Sequence, residues 1–297
     1  MTTVMRHLRS TFSLGVGYER TPAGRRFEAD AVRGYYIDFT AKTRSPSALS
    51  PEKLSPAALA QLALGWWERY LAGETKAERV FADLAALLEQ RASVEDGARL
   101  WRYDVAVPKY GLEPGWISAL AQGQSASVFL RSYLLSGDER AAALAEAAVV
   151  PLLQQEPPSL IAEVGDGVGL EECPTIPPSL ILNGWIYAAW GLRDVAIGLG
   201  SADALAMHDE TIACLVKTLP RYDAGWWSRY SLFPHRVSDL AKTFYHRLHV
   251  DQLEAMGALT GQEGFTRLAE RWRSYDRASR RAALTVHKAA FVLSRYR

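Results

Sequence analysis

The chain has 297 residues, 48% of them hydrophobic and 23% charged, with a formal net charge of +1, the profile of a soluble globular protein with one large domain or two smaller ones. Its 34 Lys and Arg residues are scattered rather than clustered, which excludes the electrostatic footprint of a nucleic-acid binder, and no stretch reads as a membrane span, which excludes an integral membrane protein. Two cysteines, Cys173 and Cys214, cannot build a disulfide framework, and no Cys/His spacing suits zinc, so no metal is expected.

Residues 1–55 read as a distinct N-terminal arm. Its first residues include Arg6 and Arg9 but lack the apolar run of a signal peptide, so the expectation is a mature chain that starts near Met1 and stays in the cytoplasm. Gly15, Gly17, Pro22 and Gly24, then Gly34-Tyr35-Tyr36-Ile37-Asp38-Phe39, then a Ser/Pro-rich run, suggest an irregular segment with one strand. Asp38 either folds over a cleft or belongs to a strand bonded to the body.

From residue 56 onward a repeat emerges. Four turns share a form: Leu71-Ala72-Gly73-Glu74, Leu135-Ser136-Gly137-Asp138, Leu199-Gly200-Ser201-Ala202-Asp203 and Leu259-Thr260-Gly261-Gln262-Glu263, with glycines 64, 63 and 61 residues apart. Each glycine sits where a helix would end on a left-handed residue, and an acidic or hydroxyl residue follows to start the next helix. The spacing predicts a helical hairpin about every 62 residues. The helices before the turns (115–135, 180–199, 236–259) are the more apolar or chemically loaded, and those after them (139–153, 202–219) are Ala/Leu-rich with charge on one side. That asymmetry predicts an all-α fold over residues 56–297, an incomplete α/α toroid or barrel of helical hairpins, with the short irregular or β-containing arm in front. The segment 265–297 should continue as basic-faced helix and close the ring.

If the short turns share one end of the toroid, the long connections 91–115, 155–178 and 220–234 share the other. They hold Trp101, Tyr103, Tyr110, Glu171, Glu172, Tyr222, Trp226, Trp227, Tyr230 and Phe233, an aromatic and acidic end suited to sugar rings. Between two of these loops, Pro174, Pro177 and Pro178 hold the chain extended and Ser179 is placed to cap the helix that follows. Asn183 near that helix start either favours a carboxylate ligand or bonds neighbouring backbone. Gln122 and Gln124 share one side of the first inner helix and suit sugar hydroxyls, while Arg131 suits a tie between helices. His246 and His249 share a helical face, but no third ligand follows, so hydrogen bonding rather than metal is expected.

Five blocks carry a family resemblance: Ala121-Gln122-Gly123-Gln124-Ser125-Ala126-Ser127-Val128 with Arg131; residues 171–194; Leu219-Pro220-Arg221-Tyr222-Asp223; Ser228-Arg229-Tyr230; and Tyr245-His246-Arg247-Leu248-His249-Val250-Asp251-Gln252-Leu253. In this order they resemble the C-terminal catalytic domain of the D-glucuronyl C5-epimerases, which convert glucuronate to iduronate within heparan-type polymers. The resemblance implies an α/α toroid and a bacterial member of the family that epimerises D-glucuronate to L-iduronate in a polysaccharide or oligosaccharide such as heparosan, without a cofactor. The β-rich N-terminal region of the full-length animal enzymes has no counterpart here beyond the first fifty residues, and apolar surface so left would suit a homodimer.

Inverting C5 of a uronate removes a weakly acidic proton beside a carboxylate and returns it on the opposite face. Two proton-transfer groups must flank the ring, and a cation or hydrogen-bond donors must hold the carboxylate. The resemblance places Glu172 on the family's glutamate, Tyr230 and Tyr245 on two functional tyrosines, and Cys173 where the family has a third tyrosine. Glu172 and Tyr245 are therefore the expected acid/base pair, with Tyr230 sharing that role or binding the linkage. A tyrosine needs nearby positive charge to act as a base, and Arg229, Arg247 and Lys242 are the local candidates. Substrate contacts are expected from Gln122, Gln124, Asn183, Arg229, Arg247, His246, Trp226 and Tyr222. Cys173 is a small filler or a weak acid, and Glu171 a solvated loop residue. Two other functions fit these residues: a lyase that expels the 4-linked group after the same proton abstraction, and a non-catalytic glycan-binding or assembly protein, favoured by Cys173.

Overall fold

The computed structural model describes residues 51–294 other than Ala72, so the arm expected over residues 1–55, Asp38 included, lies almost wholly outside the described residues. Four helical hairpins follow one another: α1 (Pro56–Leu71) with α2 (Ala77–Gln90), α3 (Ala119–Ser136) with α4 (Glu139–Val149), α5 (Leu182–Leu199) with α6 (Ala202–Thr218), and α7 (Thr243–Thr260) with α8 (Glu263–Arg273); α9 (Ala278–Ser294) comes last. The turn glycines behave as their spacing predicts. Gly73, Gly137, Gly200 and Gly261 all have φ between 68° and 91°, a left-handed conformation that costs a side-chain-bearing residue energy. Asp138 and Ser201 then cap α4 and α6, accepting from the N–H groups of Arg140 and Ala204.

Burial separates two layers. Helix α3 is buried on every side from Ala119 to Arg131, and α5 is buried through most of its length. Helix α8 buries only the stripe Phe265, Ala269 and Trp272, and α2 the stripe Phe81, Leu84 and Leu88, as outer amphipathic helices do. The architecture is an incomplete α/α toroid, with α3, α5 and α7 inside. Among the described residues no helix is long and apolar enough to cross a membrane.

The inner helices are held close by two devices. A Cβ on Gly191 would lie 2.3 Å from the Gly123 carbonyl oxygen, so α3 and α5 touch backbone to backbone. One turn away Arg131 and Asp194 form an ion pair at 2.8 Å, 1% and 0% exposed, with Arg131 also donating to the Ser127 carbonyl. Such a pair is costly to break from one side, because the partner is left as a bare buried charge.

Several expectations need correction. Helix α5 begins at Leu182 with Ile181 at its N-cap, not at Ser179; Ser179 is committed instead to the loop before it. Helix α7 begins at Thr243 rather than at residue 236, because residues 228–241 form a loop that doubles back, with Arg229 bridged to Leu240. The last segment is broken between α8 and α9. Two of the long connections contain antiparallel hairpins, β1 (Ser93–Glu95) with β2 (Ala98–Leu100) and β3 (Ile161–Val164) with β4 (Gly167–Leu170). The Asp96-Gly97 turn of the first is a strong hairpin signal.

A polar knot joins the second half of the ring. The Ser228 N–H donates to His246 Nδ1, which leaves Nε2 to donate to the Trp272 carbonyl at 3.0 Å, and the ring stacks on Trp227 at 3.9 Å. The Ser228 hydroxyl reaches both His246 Nδ1 and His249 Nδ1. The knot ties α7 and α8 to the loop that carries Tyr230.

Two outcomes follow. Gly191→Ala should cost about 1–3 kcal/mol in urea unfolding through overpacking against α3, and a neutral effect would contradict the close approach. Burial lowers the pKa of His246 to about 4 and that of His249 well below its usual value, whereas both titrate near 6.5 when unfolded. The unfolded chain then binds more protons across that interval, so stability is full above about pH 6.5 and lost as pH falls towards 4. For His246 alone the loss is roughly 3 kcal/mol, and an unfolding midpoint that stays flat over this range would contradict the knot.

Candidate active site

The site is built on the loop between β4 and α5. Strand β4 delivers the chain to Glu171, whose carbonyl accepts from Ala119 at the start of α3 and whose N–H donates to the Leu160 carbonyl. Contrary to the expectation of a solvated residue, Glu171 is 2% exposed. Its two carboxylate oxygens accept the N–H groups of Ser179 (2.8 Å) and Leu180 (2.7 Å). Burial pushes the Glu171 pKa up, and these backbone donors pull it back. Leu180 has φ +44°, a strained conformation for a branched apolar residue. It is pinned from both sides, because the Tyr222 hydroxyl donates to its carbonyl at 2.8 Å. The Ser179 hydroxyl closes the loop by donating to the Cys173 carbonyl.

This clamp fixes the next residue, Glu172. Its carboxylate lies against Gly184, where a Cβ would meet Oε2 at 2.3 Å. Asn183 Nδ2 donates to Oε2 at 3.2 Å and the Tyr230 hydroxyl to Oε1 at 3.4 Å. Asn183 therefore serves a carboxylate of the protein itself. The Tyr230 ring meets Tyr245 edge-on at 4.9 Å. Burial first, and the Glu172 charge second, raise the pKa of both tyrosines above the ordinary phenol value. Tyr103 is raised by burial and by the same charge, and Tyr110 by burial and by Asp239 ahead of it. At neutral pH these phenols are therefore protonated.

Cys173 packs in a small cluster with Tyr110 and Ile181, flanked by Tyr230 and Phe233. Burial and Glu172 push its thiol pKa up, so the residue is a neutral filler.

The other residues singled out in the sequence divide. Gln122 is fully buried: its Nε2 donates to the carbonyls of Arg99 and Ala148 and its Oε1 accepts from Trp101 N–H, so its amide holds the fold rather than a sugar. Tyr222 and His246 are likewise spent inside, on Leu180 and in the Ser228 knot. Gln124 is 0% exposed on α3. Arg247 donates through Nε to Asp276 at 2.6 Å, and Trp226 lies half-buried against Trp227 and His287. Arg229 precedes Tyr230 and is bridged to Leu240, and Lys242 is exposed at the start of α7. The cation the structure brings to the tyrosines is one the sequence reading missed. Lys109 Nζ sits 4.4 Å from the Tyr110 ring centre and 4.6 Å from that of Tyr230, and its ion-pair partner Asp239 lies 130 residues away, which no local pattern reveals.

Comparisons with known proteins agree with this architecture. A cellobiose 2-epimerase from Spirochaeta thermophila superposes with a TM-score of 0.54 at 16% identity, covering 90% of this chain and 71% of that one, a likeness of fold. An uncharacterised protein of Methanocaldococcus jannaschii is 31% identical over 179 residues, 59% of this chain and 57% of that protein. The D-glucuronyl C5-epimerase of Caenorhabditis elegans is 28% identical over 187 residues, 58% of this chain but only 30% of its own length. The match to the family model for the D-glucuronyl C5-epimerase C-terminus runs over residues 95–274, more than half of the chain and the whole span from β2 to α8 that builds the clamp, Glu172 and both tyrosines. This chain belongs to the D-glucuronyl C5-epimerase C-terminal family.

Proposed function

We propose that the chain inverts C5 of hexuronate residues, D-glucuronate to L-iduronate, within a polysaccharide or oligosaccharide. The observation that carries this reading is the Tyr230 side chain, whose hydroxyl donates to Glu172 and whose ring meets that of Tyr245 at 4.9 Å, so that a carboxylate and a second phenol gather about one site. Membership of the family supports the substrate class.

The protonation states assign the roles. Glu172, held as an acceptor by Asn183 and Tyr230, takes the C5 proton. The C5–H bond breaks, and its electron pair delocalises into the adjacent carboxylate of the sugar. Tyr245, a phenol at neutral pH, gives its O–H proton to the opposite face of C5. Glu172 is left protonated and Tyr245 as a phenolate. Tyr230 restores both: it receives the proton of Glu172 on its oxygen while passing its own to Tyr245. In this scheme the raised phenol pKa is an asset, because it keeps the acid loaded and makes the phenolate a strong proton acceptor for the reset.

The experiment is incubation with heparosan in deuterated water. Iduronate carrying deuterium at C5 is the expected result. Double-bond absorbance in the ultraviolet would identify a lyase, and binding without exchange a non-catalytic glycan protein; either would overturn the proposal. Glu172→Gln and Tyr245→Phe should each lower kcat by about 10²–10⁴, with unfolding curves close to wild type. Exchange that persists at the wild-type rate in both variants would remove these residues from the mechanism.

A further inference from the structure

The carbanion formed at C5 is stabilised by its own carboxylate, and that carboxylate needs a cation. Of the basic residues adjacent in sequence to the tyrosines, Arg247 donates to Asp276 and Lys242 is exposed at the start of α7. Lys109 is placed differently. It rides on a short 3-10 turn, Pro108–Tyr110, closed by Gly111 in the left-handed conformation. Its ammonium lies on the Tyr110 and Tyr230 rings, and its charge acts directly on Cys173, the residue after Glu172.

One of the three N–H bonds of Lys109 goes to Asp239 Oδ2 at 3.0 Å. The other oxygen of Asp239 is taken by Lys288 of α9, at 2.8 Å. Asp239 is 3% exposed, and the two lysines are about one-quarter exposed. One carboxylate therefore faces two ammonium groups, and the cluster keeps a surplus positive charge at the rim of a site whose other side is Glu172. A neutral sugar would leave that surplus unanswered; a carboxylate would neutralise it. Lys288 lies beyond residue 274, where the family match ends.

We propose that Lys109 binds the carboxylate of the substrate, selecting hexuronates over neutral hexoses, and that Lys288 is a positioning residue that holds Asp239 and leaves Lys109 free charge for the substrate. This rests on the uronate reading above. It makes α9 part of the site through Asp239.

The test uses the full chain and two readouts. In NMR titrations with a glucuronate-containing oligosaccharide and with its neutral glucose counterpart, wild type should prefer the uronate, and Lys109→Met should lose at least about tenfold of that preference, roughly 1.4 kcal/mol. Lys109→Arg should restore part of it. Lys288→Met, at a partly exposed position, should raise KM several-fold with kcat within about twofold, and Lys288→Arg should reverse the change. The preference should also weaken with added salt in wild type and not in Lys109→Met. Equal binding of both sugars by wild type, unchanged preference in a folded Lys109→Met, or unchanged KM in Lys288→Met would overturn the proposal. The binding arm is independent of turnover: a protein that prefers glucuronate through Lys109 yet exchanges no C5 deuterium would sink the epimerase reading and keep this one.

Discussion

The buried carboxylate of Glu171 is the constraint on which the site depends. By accepting the N–H groups of Ser179 and Leu180 it satisfies two donors that the proline-rich loop leaves without a helical partner. It also holds Leu180 at positive φ, with Tyr222 anchoring the other side of the same residue. Adjacent side chains of an extended segment point apart, so an inward Glu171 forces Glu172 towards the cleft, onto Gly184 and Asn183 in the first turn of α5. Two neighbouring acids of the same type thus have different surroundings, because one has its oxygens filled by backbone N–H groups and the other meets the Asn183 amide and a tyrosine hydroxyl.

The electrostatics reinforce that division. Glu172 raises the pKa of Tyr230 and Tyr245 beyond what burial alone does, which keeps both phenols protonated beside it. Cys173 fits the same logic as a small neutral group. Its thiol is buried with Tyr110 and Ile181, and it adds no competing charge between Glu172 and Lys109. The Lys109–Asp239–Lys288 cluster, one carboxylate between two ammonium groups, meets the same Tyr230 ring through Lys109.

The hairpin repeat was legible because each turn depends on one local requirement. Gly73, Gly137, Gly200 and Gly261 all need left-handed backbone, and only their spacing had to be read. The inner and outer layers followed from hydrophobic patterning, which burial on α3 and α8 reproduces. The missed features depend on distant partners. Ser179 has the chemistry of a cap, but Glu171 and the Cys173 carbonyl claim it first. Gln122 looks like a sugar ligand until the carbonyls of Arg99 and Ala148 close on its amide. Lys109 and Asp239 meet only because two loops converge at one end of the ring. The Asp96-Gly97 turn is the exception: its hairpin was available from sequence and was passed over inside a long connection.

The central claim is that proton removal and proton return use different groups, Glu172 on one face and Tyr245 on the other. Partial conversion of protiated polymer in deuterated water, with the recovered glucuronate and the new iduronate examined separately at C5, tests it most directly. The account predicts deuterium in the iduronate from its first appearance and protium retained in the unreacted glucuronate. Iduronate that carries the original protium in a single turnover would mean that a single group removes and returns the proton, and would contradict the account.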